Sequence, residues 1–178
     1  MCAKEMSFLS SRKLIRLRDY DYSSSGAYFV TIVTDKRQPL FSDVIDHTIH
    51  LRPPGSIVRD EWLSIPSNRP YVLVDENYLV IMPDHIHAVL WLVDLDGPQI
   101  NPLIRNLEGV RRGGYAPRSL ASVVATFKSR VTNQVRLLTR DPHQRIWQWN
   151  YYETIIRDDA HLSRVHQYIK NNPFRWNG

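Results

Sequence analysis

Residues 78–93, YLVIMPDHIHAVLWLV, read as two apolar runs joined at Pro83-Asp84. Both runs are rich in β-branched, aromatic and aliphatic residues, the composition of strands that meet a core. The second run, residues 85–93, is the more apolar, and it opens with His85-Ile86-His87. Side chains alternate along a strand, so the two imidazoles leave one face and Ile86 leaves the other. Two neutral imidazoles on one face make half of a divalent-metal site. The same spacing fits one histidine closing the turn after Pro83-Asp84 and the other hydrogen-bonded in the core. A bare His-x-His does not choose between these readings.

Working outward, residues 27–34, AYFVTIVT, give a strong strand signal and lead to a polar turn at 35–38. After Pro53-Pro54-Gly55, residues 56–65 carry Ile57, Val58, Trp62 and Leu63 at helical spacing. Residues 71–74 read as a strand and 145–156 as extended, while 94–117, rich in Gly, Pro and charge, read as a long loop. A second helix starts at Ser119, with Leu120, Val123, Val124, Phe127, Val131 and Val135 as its apolar stripe. The last helix runs from about Asp159 to Asn171 or Asn172, capped by Asp158 or Asp159 and stopped by Pro173. The order is strand, helix, strand pair, helix, strand, helix. It predicts an α+β sandwich in which helices pack mainly on one face of a central antiparallel sheet.

The 178 residues suit a single domain, and 43% hydrophobic with 23% charged residues is ordinary globular composition. A net charge of +5 and a pI near 9.5 point to an anionic partner, nucleic acid first among them. The basic residues are dispersed: Arg12, Lys13, Arg16 and Arg18, then Arg105, Arg111, Arg112 and Arg118, then Lys128, Arg130 and Arg136. Such a distribution fits a groove built from several elements and fits a solvated surface equally. Cys2 is the single cysteine, which excludes a disulfide framework and a thiolate zinc site. No apolar run is long enough to span a bilayer and the polar start is unlike a secretory signal, so the expected location is the cytoplasm.

In residues 161–173, HLSRVHQYIKNNP, Leu162, Val165 and Ile169 form the buried stripe of the terminal helix. At ~100° per residue, Tyr168 and Asn172 lie together along one edge of that stripe, one turn apart. Taken singly, Tyr168 reads as an amphipathic packing residue and Asn172 as a helix terminator. Taken together, they would offer a phenol and a carboxamide to the sheet edge that bears the histidines.

The segments AYFVTIVTDKRQPLF, YLVIMPDHIHAVLWL, SLASVVATFKSRVT and WNYYETIIRDDAHLSRVHQYIKNNPFRW resemble, in order, the blocks of the single-tyrosine HUH transposases. The resemblance spans about residues 20–176 and is nearest to the REP-associated tyrosine transposases of bacteria, with MPDHIHAVLWL and YIKNNP its strongest parts. It implies a ferredoxin-like fold, His85 and His87 as metal ligands, Asn172 as the third ligand, and Tyr168 as the catalytic nucleophile. The metal so implied is Mg²⁺ or Mn²⁺, and the substrate is single-stranded DNA beside a REP-like hairpin, cut and rejoined through a 5′-phosphotyrosine. Relatives of this kind include monomers and homodimers. Tyr151 and Tyr152 are rival nucleophiles, but neither has a ligand partner one helical turn away. Trp147, Trp149 and Tyr115 are candidates for stacking on bases. Two other functions remain open: a ferredoxin-like module that binds nucleic acid without cutting it, and a hydrolase that uses the metal with water.

Overall fold

The computed structural model describes residues 25–93 and 118–176. The expected loop at 94–117 lies outside them. Eight residues, all apolar but Thr31, make β1 (Gly26–Val33), and a short 3-10 turn, Asp35–Arg37, follows it. A hairpin of β2 (Ser42–Ile45) and β3 (Thr48–Leu51) comes next. Its turn places Asp46 and His47 at φ 48° and 62°, a left-handed pair of the kind that closes tight hairpins. No glycine marks this turn, so the sequence pattern passes over it.

Helix α1 (Pro53–Leu63) begins earlier than residues 56–65 predict. Pro53 and Pro54 occupy its first turn, where a missing N–H costs nothing, and so act as a start rather than a break. Gly55 is needed there, because a Cβ at this position would lie 2.0 Å from the Phe41 carbonyl oxygen. A four-residue helix, α2 (Ile65–Asn68), turns the chain into β4 (Val72–Ile81). The two strand signals at 71–74 and 78–82 are one strand, bulged between Val74 and Leu79 where Asp75 accepts from the Asn77 amide at 2.8 Å. Then come β5 (His85–Leu92), α3 (Leu120–Thr139), β6 (Tyr152–Ile156) and α4 (Asp159–Lys170). Ser119 caps α3 by accepting from Ser122, and Asp158 caps α4 by accepting from His161. Only the end of the extended stretch 145–156 joins the sheet as β6, with Trp147 forming an isolated bridge to Thr34.

The main sheet has the order β4-β5-β1-β6 and every neighbouring pair is antiparallel. Helix α1 links β1 to β4 and α3 links β5 to β6, so the four strands form two split β-α-β units in the ferredoxin-like arrangement. One face of the sheet, carrying Tyr28, Val30, Ile32, Ile86, Ala88 and Leu90, packs on Val58 and Trp62 of α1 and on Val123, Phe127 and Val131 of α3. Trp62 meets Phe127 edge to face at 5.1 Å within that layer. The opposite face carries Phe29, Val80 and Val89 and is covered by α4 through Val165 and Ile169. Two helices therefore share one face, and the helix bearing Tyr168 takes the other. Among the described residues no helix is long and apolar enough to cross a membrane.

Candidate active site

Alternation along β5 sends Ile86 into the α1–α3 core and His85 and His87 to the face that α4 covers. The two rings stand 4.6 Å apart, centroid to centroid. His87 is buried, stacks on Phe29 at 5.4 Å, and shares its Nδ1 with the Thr31 hydroxyl of β1 at 2.7 Å. Thr31 stands directly opposite His87 in the β1–β5 register. Burial, reinforced by the neighbouring His85, holds the His87 pKa well below its ordinary 6.5, so the ring is neutral at physiological pH. With Nδ1 engaged, Nε2 is the nitrogen left for chemistry.

His85 is held by its neighbour in sequence. Its Nδ1 lies 2.5 Å from Oδ1 of the buried Asp84, whose Oδ2 accepts from Nη1 of Arg37 at 3.1 Å. Burial alone would raise the Asp84 pKa, but the His85 ring and the Arg37 guanidinium outweigh it and hold the carboxyl below its usual range. The carboxylate thereby fixes the orientation of the ring, as second partners do for metal-binding histidines, and among the described residues no hydrogen bond engages Nε2. The turn itself is clamped by the segment after β1. Thr34 donates from its amide and its hydroxyl to the Asp84 carbonyl at 2.8 and 2.9 Å, and the Phe41 amide donates to Pro83 at 3.1 Å. Asp84 was missed as a site residue because the sequence marks it only as part of a turn. The signal that could have found it is an acid immediately before the first histidine.

The terminal helix brings its pair to the same place. The Tyr168 hydroxyl lies 3.3 Å from His87 Nε2, with the two rings 5.0 Å apart, and Phe29 meets the phenol edge-on at 6.0 Å. Burial raises the Tyr168 pKa above 10.0; a hydrogen bond with the Asn172 side chain and the charge of Arg175 partly oppose the rise. The Arg175 guanidinium sits 5.8 Å from the centre of the phenol ring. Asn172 is buried just past the end of α4, and Trp176 lies 6.3 Å from His85. His85, His87, Tyr168 and Asn172 thus form one connected group within a single chain. Among the described residues no three of His, Cys, Asp and Glu gather as a metal cluster.

The rival tyrosines part company. Tyr152 pairs with Thr31 across β1 and so shares the His87 face, whereas Tyr151 packs against the α1–α3 core. Of the candidate stacking residues, Trp147 is buried between Phe41 and Phe127, Trp149 is 94% exposed, and Tyr115 lies outside the described residues. So do Arg12, Lys13, Arg16, Arg18, Arg105, Arg111 and Arg112. Arg118 lies 5.8 Å from the Tyr71 ring. The basic residues of α3 are used for structure. Lys128 donates to the carbonyls of Gln148 and Trp149, and burial brings its pKa down to about 8. Arg136 donates to the Gln144 carbonyl and Arg130 pairs with Glu61 at 3.6 Å.

No family model matches the chain. An uncharacterized protein of Haemophilus influenzae is 34% identical over 177 residues, which cover 99% of this chain and 96% of that one. A second Haemophilus influenzae protein, named provisionally as a REP-associated tyrosine transposase, is 25% identical over 87% of this chain and 74% of its own. Among solved structures, a REP-associated tyrosine transposase bound to a REP hairpin superposes with a TM-score of 0.57 at 18% identity, covering 94% of this chain and 74% of that one. That likeness is one of fold. The chain carries the motif blocks in order, shares its fold with a REP-associated tyrosine transposase, and is similar along most of its length to a relative provisionally given that name.

Proposed function

We propose that the protein nicks and rejoins single-stranded DNA beside hairpins of the REP type, with Tyr168 as nucleophile and His85, His87 and Asn172 as the holders of a divalent cation. The observation that carries this reading is the contact of the Tyr168 hydroxyl with His87 Nε2 at 3.3 Å. A hairpin substrate is suggested by the related transposase solved with a REP hairpin.

The donor set fits such an ion. His87 is buried and neutral, the Nδ1 atoms of both histidines are occupied by Thr31 and Asp84, and a buried carboxamide adds an oxygen. Nitrogen and oxygen donors with positions to spare suit Mg²⁺ or Mn²⁺. When bound, the ion supplies positive charge against the scissile phosphate and its leaving oxygen.

The residues of the chain do the rest. Phe29 and Ile169 fix the phenol's position, and Arg175 and the Asn172 amide favour its anionic form against burial. A phenol with a raised pKa is a poor nucleophile at rest, which keeps the site inert until DNA and metal arrive. On attack, a bond forms between the Tyr168 oxygen and phosphorus, the bond to the 3′ oxygen breaks, the phenolic proton passes to solvent, and the departing 3′ oxygen takes up a proton from solvent. The products are a 5′-phosphotyrosine and a free 3′-OH. Because the linkage keeps the energy of the phosphodiester, a 3′-OH can later attack it and reseal the strand.

The test is to incubate the full chain with hairpin-bearing single-stranded DNA and Mn²⁺ and look for a protein–DNA adduct on a denaturing gel. The adduct is expected with the wild type and absent with Tyr168→Phe. Cleavage without an adduct would assign the chemistry to a water-using hydrolase. Binding without cleavage would leave a nucleic-acid-binding module.

A further inference from the structure

We propose that Arg37 is a phosphate-binding residue at the rim of the histidine site, held ready for the DNA strand by Asp84; the inference rests on the strand-transfer reading above. The 3-10 turn after β1 places both Lys36 (φ 53°) and Arg37 (φ 54°) in left-handed backbone. Side chains other than glycine rarely adopt that conformation, and two in succession mark a turn imposed by its surroundings. The surroundings are specific: Asp35 donates to the Ile146 carbonyl at 2.9 Å, and Thr34 donates twice to the Asp84 carbonyl. The result is an arginine aimed at the buried carboxylate that orients His85.

The ion pair uses a small part of that arginine. Nη1 alone reaches Asp84, at 3.1 Å, while 67% of the Arg37 side chain stays exposed. A guanidinium has five donors in a planar fork matched to phosphate oxygens. Pinned at one nitrogen by a carboxylate that is itself buried, the fork has little rotamer freedom left to lose when a phosphate arrives. Only the Asp84 carboxylate separates it from His85, so the phosphate it meets belongs to the nucleotides flanking the scissile bond. The exposed Lys36 beside it adds to the attraction. By contrast Arg130 and Arg136, on the other side of the sheet, spend donors on Glu61 and a backbone carbonyl.

The experiment measures binding of a labelled hairpin-bearing single strand to the full chain over about 50 to 200 mM salt, with metal chelated so that the DNA stays whole. Each phosphate neutralised on a single strand contributes about 0.7 to the slope of log K against log salt. Arg37→Gln is expected to lower the slope by about that amount. Arg37→Asn, a residue at ease in left-handed backbone, should do the same without disturbing the turn. Arg59→Gln, an exposed arginine on α1 at the other face, should leave the slope unchanged. An unchanged slope in both Arg37 variants overturns the proposal, whatever happens to metal affinity, and leaves Arg37 as a support for Asp84. The Tyr168 adduct is scored in parallel. A wild type that binds with the full slope and forms no adduct refutes strand transfer and leaves the Arg37 result standing; a wild type that binds no DNA refutes both.

Discussion

The Tyr168 hydroxyl lies 3.3 Å from His87 Nε2, the ring nitrogen that the proposed metal site would use. A cation bound there would compete with the phenol for one lone pair and would have to move the hydroxyl aside. Tyr168→Phe removes the competitor and keeps the ring that packs on Phe29. Mn²⁺ titration followed by electron paramagnetic resonance should show affinity equal to or above that of the wild type. His87→Ala and Asn172→Ala should weaken it. If Tyr168→Phe binds Mn²⁺ more weakly, the phenol is a ligand rather than a nucleophile in waiting.

The depressed pKa of His87 gives stability a pH dependence of definite sign. A buried ring that stays neutral binds fewer protons folded than unfolded, so stability rises with pH wherever the unfolded ring is protonated. The contribution is complete above the unfolded value of 6.5 and is lost as the pH falls below it, until the folded pKa is reached. One proton sets an upper limit of about 1.4 kcal/mol per pH unit for this loss. Urea denaturation of the metal-free protein at about pH 7.5 and 5.5 should show the decline, and His87→Gln should reduce it. Identical pH slopes for the two proteins would place the titration elsewhere.

Asp84→Asn isolates charge from shape. The amide oxygen can still accept from His85 Nδ1, and the backbone carbonyl keeps both bonds from Thr34. What disappears is the negative charge that would make His85 a better donor to the proposed cation. Losing a second partner of this kind typically weakens metal affinity by roughly 10–100-fold. Calorimetric titration with Mn²⁺ should register at least the lower figure while the thermal transition remains cooperative. Wild-type affinity in Asp84→Asn would mean that the carboxylate only holds the turn.

Much of this site was legible in the sequence because two of its periods are rigid. A strand's period of two puts His85 and His87 together, and the helical angle puts Tyr168 beside the stripe of Val165 and Ile169. An amphipathic stripe says that α4 packs, but not on which face of the sheet. That followed only once Val80, Val89 and Phe29 proved to form a second apolar layer. The β2–β3 hairpin was hidden because Asp46 and His47 take the place of the usual glycine-bearing turn. Asp84 and Arg37 were hidden for another reason: their meaning depends on a contact between positions 47 apart, which no local pattern records.

Tyr152 supplies the sharpest check on which tyrosine reacts. Thr31 faces His87 on one side and Tyr152 on the other, so the three share a row and a face of the sheet. At ~4.8 Å per strand, the backbone of Tyr152 is about 10 Å from that of His87. Tyr152 is 54% exposed, and its neighbour across the sheet is a threonine rather than a ligand pair. Tyr168 instead lies 3.3 Å from His87 Nε2. Trypsin separates the candidates, since residues 146–157 contain Tyr151 and Tyr152 while residues 165–170 contain Tyr168. Mass spectrometry of a nuclease-trimmed adduct should find the nucleotide on the 165–170 peptide, and Tyr152→Phe should form the adduct as the wild type does. A nucleotide on the 146–157 peptide would move the nucleophile to the edge strand and reduce the Tyr168–His87 contact to packing.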